Sequence, residues 1–233
     1  MRAAGLGALS VATLLAACAP ASSPPSEAAS QPANVGLAKL AATRYHDSGD
    51  YMRDLARAAA PANDWLRQRA TQVARAALVL DIDDTALTNW PVILANDFGR
   101  FATGPCLLPE GPCGWHAWDL RGEDQAIEPT LQVFRTARSL GVAVFFISGR
   151  PESERAATER NLQAAGYAGY ERAYFTPDGA RFATLVDFKA PTRRTIAAMG
   201  YTIIANMGDQ MSDLDGGYAE RTFKLPNPFY YIP

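Results

Sequence analysis

Residues 78–85 read LVLDIDDT, an apolar run that leads directly into Asp81, Asp83 and Asp84. Carboxylates this close repel one another, and each resists leaving water. Asp209 closes a second apolar run, YTIIANMGD, with Asp213 just beyond it. Such a collection of acids calls for a cation. Mg²⁺ is a hard ion that takes oxygen ligands and keeps waters for a phosphate to replace, so Asp81 and Asp209 are candidate ligands. A calcium loop fails on spacing: counted from Asp81, the glycine position is Ala86 and the glutamate position is Val92. A carboxylate can also attack phosphorus to form an aspartyl-phosphate. It must then approach an anion, and a metal with further positive groups offsets that repulsion.

The elements that must position these residues alternate. ALVL (77–80), VAVFFIS (142–148), AYFT (173–176) and YTIIANMGD are short and apolar throughout, as strands buried on both faces are. Between them lie helical stretches. Residues 34–77 are rich in Ala, Leu and Arg, with breaks expected near HDSGD and at Pro61. Further helices are expected over 128–140, 151–165 and 192–199, and 90–124 reads as irregular. The pattern predicts an α/β fold, Rossmann-like, with a parallel sheet covered by helices on both faces. Ligands of such sheets bind beyond the carboxyl ends of the strands. Asp81, Asp83, Ser148, Asp209 and Asp213 all fall there, and should gather at one edge.

Those motifs carry a resemblance. DIDDT matches the first motif, D-x-D-x-T, of the haloacid dehalogenase (HAD) superfamily. FFIS ending at Ser148 resembles the second, Lys189 in VDFKAPTRRTI is placed like the lysine of the third, and GDQMSD resembles the acidic fourth. YHDSGDY, FFISGR, KAPTRRTIAAMGY and the tail FKLPNPFYYIP are similar to subfamily IIIB, the acid phosphatase branch with bacterial class C lipoproteins and plant vegetative storage proteins. The resemblance implies a HAD fold with a small cap, made of the N-terminal helices and an insertion at about 90–124. It implies Mg²⁺-dependent hydrolysis of small phosphomonoesters, nucleoside monophosphates among them. Asp81 would be nucleophile and metal ligand. Asp83 would be acid, then base, and would reach the metal through its carbonyl. Ser148 would bind the phosphate and Lys189 would neutralise charge, with Lys224 as its rival. Asp209 would bind the metal and Asp213 would support the metal or the lysine from behind. Phosphoryl transfer to an alcohol, or a non-catalytic binding or storage role, are the alternatives.

The N-terminus reads differently. Residues 1–17 have a basic start and an apolar run too short to span a bilayer. LLAAC, ending at Cys18, resembles a bacterial lipobox, so Cys18 is the expected lipidation site; an ordinary secretory signal cut nearby is the alternative. Residues 18–34, rich in Ala, Ser and Pro, read as a flexible tether to a domain over 35–233. Ala19 after the cysteine favours an outer-membrane lipoprotein of a bacterial envelope. Outside the cytoplasm, Cys106 and Cys113 in CLLPEGPC suggest a disulfide. Zinc shared with His116 is the alternative, for which a fourth ligand is missing. The net charge of −2 and the absence of a basic run argue against a nucleic-acid partner.

Overall fold

The computed structural model describes Met1 and residues 32–233. The expected leader, Cys18 and most of the tether lie outside the described residues. One compact unit spans Asn34–Pro233. Its elements are α1 (Val35–Asp47), α2 (Asp50–Arg69), β1 (Ala76–Leu80), α3 (Trp90–Ala95), α4 (Trp115–Arg121), α5 (Glu128–Ser139), β2 (Ala143–Pro151), α6 (Arg155–Ala164), β3 (Arg172–Thr176), α7 (Val186–Ala198), β4 (Thr202–Gly208), α8 (Met211–Leu214) and β5 (Thr222–Lys224).

The strands form one parallel sheet in the order β3-β2-β1-β4-β5. The expected α/β architecture is therefore present. Every position of β1 is buried, which accounts for its unbroken apolar sequence. Alternate residues serve opposite faces. Leu78 and Leu80 join a core with Leu55 and Leu66 of α2 and Leu131 and Phe134 of α5. Ala77 and Val79 face the other way, to a smaller core with Phe145, Ile147 and Ile196 of α7. Register then fixes the site. Leu80 pairs with Phe146 on one side and Met207 on the other. The chain positions just past these three residues carry Asp81, Ser148 and Asp209.

Three expectations change. Helix α2 runs through Pro61 without a break. Pro61 is exposed, while Tyr51, Leu55, Ala59, Ala62 and Leu66 form a buried stripe. Burial of that stripe outweighs the ~3 kcal/mol a helical proline costs. Helix α7 likewise begins at Val186, upstream of Pro191, because its first turns bury Lys189 and Ala190. The 90–124 segment is not irregular throughout: Pro91 helps to start α3, and Gly114 and Gly122 flank α4. Strand β5 was not expected; at three residues, with its ends exposed, it has no run to recognise.

Cys106 and Cys113 are bonded to each other. Asn96 docks the loop onto α3, donating to the Cys113 carbonyl and accepting from its N–H, both at 2.8 Å. The zinc alternative falls away, since both sulfurs are in the disulfide and His116 Nδ1 instead meets Glu154 at 2.5 Å. The closed loop is short and off the sheet. Replacing both cysteines by serine should therefore cost no more than about 2–3 kcal/mol in urea unfolding. Cys113 is itself buried in the main core, so a larger loss would show that packing there matters beyond the crosslink.

Candidate active site

Lys189 is the centre of the carboxyl edge. It projects from the first turn of α7, and its Nζ donates to Asp81 Oδ1 and Asp213 Oδ1, each at 2.5 Å. All three side chains are buried. Asp213 sits on α8, where its Oδ2 accepts the Gln210 N–H at 2.8 Å. Gly208, at the end of β4, makes that approach possible: a Cβ there would lie 2.3 Å from the Asp213 Cβ. Asp209 accepts from Thr85 Oγ1 at 3.1 Å, Asn227 Nδ2 at 2.7 Å and Gln210 Nε2 at 2.6 Å. Lys224 reaches the backbone carbonyl of Asp209, so Lys189 is the lysine that meets Asp81.

The charges do not balance. Burial, then repulsion from Asp213, pushes the Asp81 carboxyl well above its ordinary range, against the pull of Lys189. Burial, and again Asp213, moves Asp209 up to about 7. Burial works against the Lys189 cation, but Asp213 and Asp81 outweigh it and hold the amine protonated. One oxygen from each of Asp81, Asp209 and Asp213 lies within 4.8 Å of the others. An all-oxygen set with three carboxylates against one ammonium fits a hard divalent cation. Asp213 both anchors Lys189 and adds an oxygen to that set.

Asp83, on the same cavity, pairs with a different cation. It receives the Arg150 guanidinium as a fork: Nη2 lies 2.7 Å from Oδ1, and Nε lies 3.1 and 3.2 Å from the two oxygens. Asn89 Nδ2 adds a bond at 3.0 Å. Burial pushes the Asp83 carboxyl up, yet Arg150 prevails and holds it below its usual value. Arg150 is itself buried, 3.2 Å from Asp119 and 3.7 Å from Asp124. Burial raises Asp119 well above its ordinary range and lifts Asp124 to about 6, with Arg150 opposing both.

Asp84 is left-handed, with φ 49°, and fastens the loop after β1. Its carboxylate accepts from the Asn89 N–H at 3.0 Å and from Tyr230 Oη at 2.8 Å. Ser148 is fully buried, and its Oγ accepts the Arg150 N–H at 3.0 Å. Gly149 rather than Ser148 lines the cavity. That cavity, of about 420 Å³, takes in Asp81, Asp83, Lys189 and Asp209 together with Trp115 and Tyr230. The two rings meet edge to face with centroids 5.5 Å apart.

The structure thus brings Asp81, Lys189, Asp209 and Asp213 together, with Asp83 on the same cavity. Sequence reasoning missed Arg150, Asn227 and Tyr230. Arg150 could have been found, because it lies just past Ser148 on a strand already assigned to the edge. Asn227 and Tyr230 lie in a Pro-rich tail without periodicity and gave no such signal.

The sequence model of the HAD superfamily, subfamily IIIB (acid phosphatase), matches residues 13–233. The chain belongs to this family. It is 36% identical over 157 residues to a stem 28 kDa glycoprotein of Glycine max, which covers 66% of this chain and 59% of that protein. It is 31% identical over 155 residues to acid phosphatase 1 of Solanum lycopersicum, covering 66% and 58%. A vegetative storage protein of Arabidopsis thaliana is likewise 31% identical, over 156 residues, covering 66% and 55%. The matches span under two thirds of these plant relatives' lengths. In fold, the chain is similar to the class C acid phosphatase from Bacillus anthracis, with TM-score 0.67, 20% identity, and 84% and 86% of the two chains covered.

The Asp124 environment generates a pH prediction. Its carboxyl titrates near 6 in the fold and near 3.8 unfolded, so the folded state binds the proton more tightly. That stabilisation is complete below the ordinary value and is lost as pH rises through about 6. Asp124→Asn should remove this component, which is at most about 3 kcal/mol, and flatten the stability profile. Urea unfolding across the window checks it; an unchanged slope in the variant would contradict the assignment.

Proposed function

We propose that the protein hydrolyses phosphomonoesters as an acid phosphatase, through an aspartyl-phosphate on Asp81. The observation that carries this reading is the Lys189 ammonium held between Asp81 and Asp213, on one cavity with Asp83, in a chain of subfamily IIIB. Asp81 attacks phosphorus while the bond to the leaving oxygen breaks, and Asp83 gives that oxygen its proton. The Asp83 carboxylate then takes a proton from water as the water attacks the phosphorus of the acyl phosphate. Inorganic phosphate leaves and Asp81 is restored. Lys189 neutralises charge where the two anions meet; Ser148, expected to bind the phosphate, is buried off the cavity lining and would instead order the β2 end. Mg²⁺ held by Asp81, the Asp83 carbonyl and Asp209, with an Asp213 oxygen beside them, would add positive charge beside the phosphate. Arg150 keeps Asp83 in its base form, so the protonated acid becomes more abundant as pH falls. This favours an acidic optimum.

The 90–124 insertion serves as the cap in this reading, contributing Trp115, while α2 of the N-terminal helices, expected in the cap, packs into the main core beside β1. The aromatic pair Trp115 and Tyr230 supports nucleoside monophosphates as substrates, since both rings line the cavity. Transfer to an alcohol would use the same intermediate, with the alcohol in place of water. A storage role is the reading that the Arabidopsis relative's name favours, and the complete acid and lysine set argues against it. For location, we take Cys18 as the lipid-bearing residue of an envelope lipoprotein, after removal of 1–17, with the domain held off the outer membrane by the tether. Among the described residues no helix is long and apolar enough to cross a membrane.

Asp81→Asn should lower kcat by about 10³-fold or more, because an amide is a poor nucleophile. The melting temperature should not fall, since a carboxylate leaves a crowded acidic group. Near-normal turnover by the purified variant would exclude the mechanism. Exhaustive chelation should abolish turnover and added Mg²⁺ should restore it; an undiminished rate in protein shown to be metal-free would contradict the metal assignment. In bacterial cells, labelled palmitate should enter the protein and be absent from Cys18→Ala, and an unlabelled wild type would refute the anchor.

A further inference from the structure

Arg150 joins two parts of the molecule that the chemistry above treats separately. Its guanidinium grips Asp83 through two nitrogens. One of these, Nη2, also lies against Asp119 and Asp124 as ion pairs without a hydrogen bond, and both acids come from the segment between β1 and β2 that carries the insertion. Its remaining nitrogen donates to Thr158 Oγ1 of α6 at 3.2 Å, and its backbone N–H to Ser148. Asp124 is fastened in turn: its N–H donates to Asn161 Oδ1 at 3.0 Å, and its carbonyl accepts Asn161 Nδ2 at 2.7 Å. A buried cation among three carboxylates is costly to assemble and contributes little net stability. What it does provide is geometry, because a planar fork matches a carboxylate in only a few orientations.

We propose that Arg150 is a positioning residue that aims the Asp83 carboxyl at the leaving oxygen, and that Asp119 and Asp124 hold Arg150 in that pose. The insertion then acts on acid catalysis as well as on substrate enclosure. This rests on the reading of Asp83 as the acid–base group. A mispositioned acid penalises a poor leaving group far more than a good one, because only the poor one requires protonation as it departs. A residue needed for folding alone would lower turnover of both esters by the same factor.

The test compares kcat/KM, which reports phosphorylation of Asp81 and not the later attack of water, for an alkyl phosphate and 4-nitrophenyl phosphate in Arg150→Met, Arg150→Lys, Asp119→Asn and Asp83→Asn. Asp83→Asn sets the scale: it should lose at least ~10²-fold on the alkyl ester and much less on the nitrophenyl ester. Equal loss on both esters in Asp83→Asn would overturn the acid–base reading, and this inference with it. Arg150→Met should reproduce the selective loss, and Arg150→Lys should not rescue it, since an ammonium lacks the fork. Asp119→Asn should shift the ratio of the two rates in the same direction by a smaller factor. Arg150→Met leaves buried carboxylates unpaired, so a failure to fold passes the decision to Arg150→Lys and Asp119→Asn. If the alkyl-to-nitrophenyl ratio stays at the wild-type value in both of these while Asp83→Asn shows its selective loss, the positioning role is refuted.

Discussion

The bridge from Lys189 to Asp81 and Asp213 is the interaction on which the rest of the site depends. Parallel pairing of β1 with β4 brings their carboxyl ends side by side, and each end carries an acid. The sheet is made by its apolar strands, but its edge concentrates negative charge out of water. One buried ammonium offsets part of that charge. The excess is what suits the edge to a divalent cation, which would in turn offset the repulsion of an incoming phosphate. The same elements that build the edge make the ammonium available: α7 covers the smaller core with Ile196 and offers Lys189 from its first turn.

A second charge system stands beside the first. Arg150 gathers Asp83, Asp119 and Asp124, so that the two aspartates of DIDDT nearest the cavity answer to different cations. Asp81 belongs to Lys189 and Asp83 to Arg150. Two carboxylates separated by one residue thereby acquire opposite shifts, Asp81 raised and Asp83 lowered. The C-terminal tail completes the arrangement from outside the sheet. Asn227 holds Asp209, Tyr230 holds Asp84, and the Ile232 N–H reaches Gln210 Oε1 at 3.2 Å.

Much of this was legible in the sequence, for identifiable reasons. Strands buried on both faces show as unbroken apolar runs, and an acid or serine at the end of such a run is placed at the edge by topology alone. Asp81, Ser148 and Asp209 were found in that way. Lys189 was found only through its resemblance to a motif, since a lysine upstream of Pro191 carries no helical signal of its own. Pro61 misled because local propensity was overruled by a buried stripe of leucine and alanine. Asn227 and Tyr230 act through single hydrogen bonds from an irregular tail, and no spacing rule announces them. Arg150 was visible but unread, because its role exists only once Asp119 and Asp124 have been folded onto it.

The central claim is that Asp81 becomes covalently phosphorylated. Its most direct test is to quench the enzyme in acid during turnover, reduce any acyl phosphate with borohydride, and map the peptides by mass spectrometry. The account predicts conversion of residue 81 to homoserine, dependent on substrate and absent from Asp81→Asn. Steady release of inorganic phosphate with no reducible acyl phosphate at residue 81, or with it at another carboxylate, would contradict it.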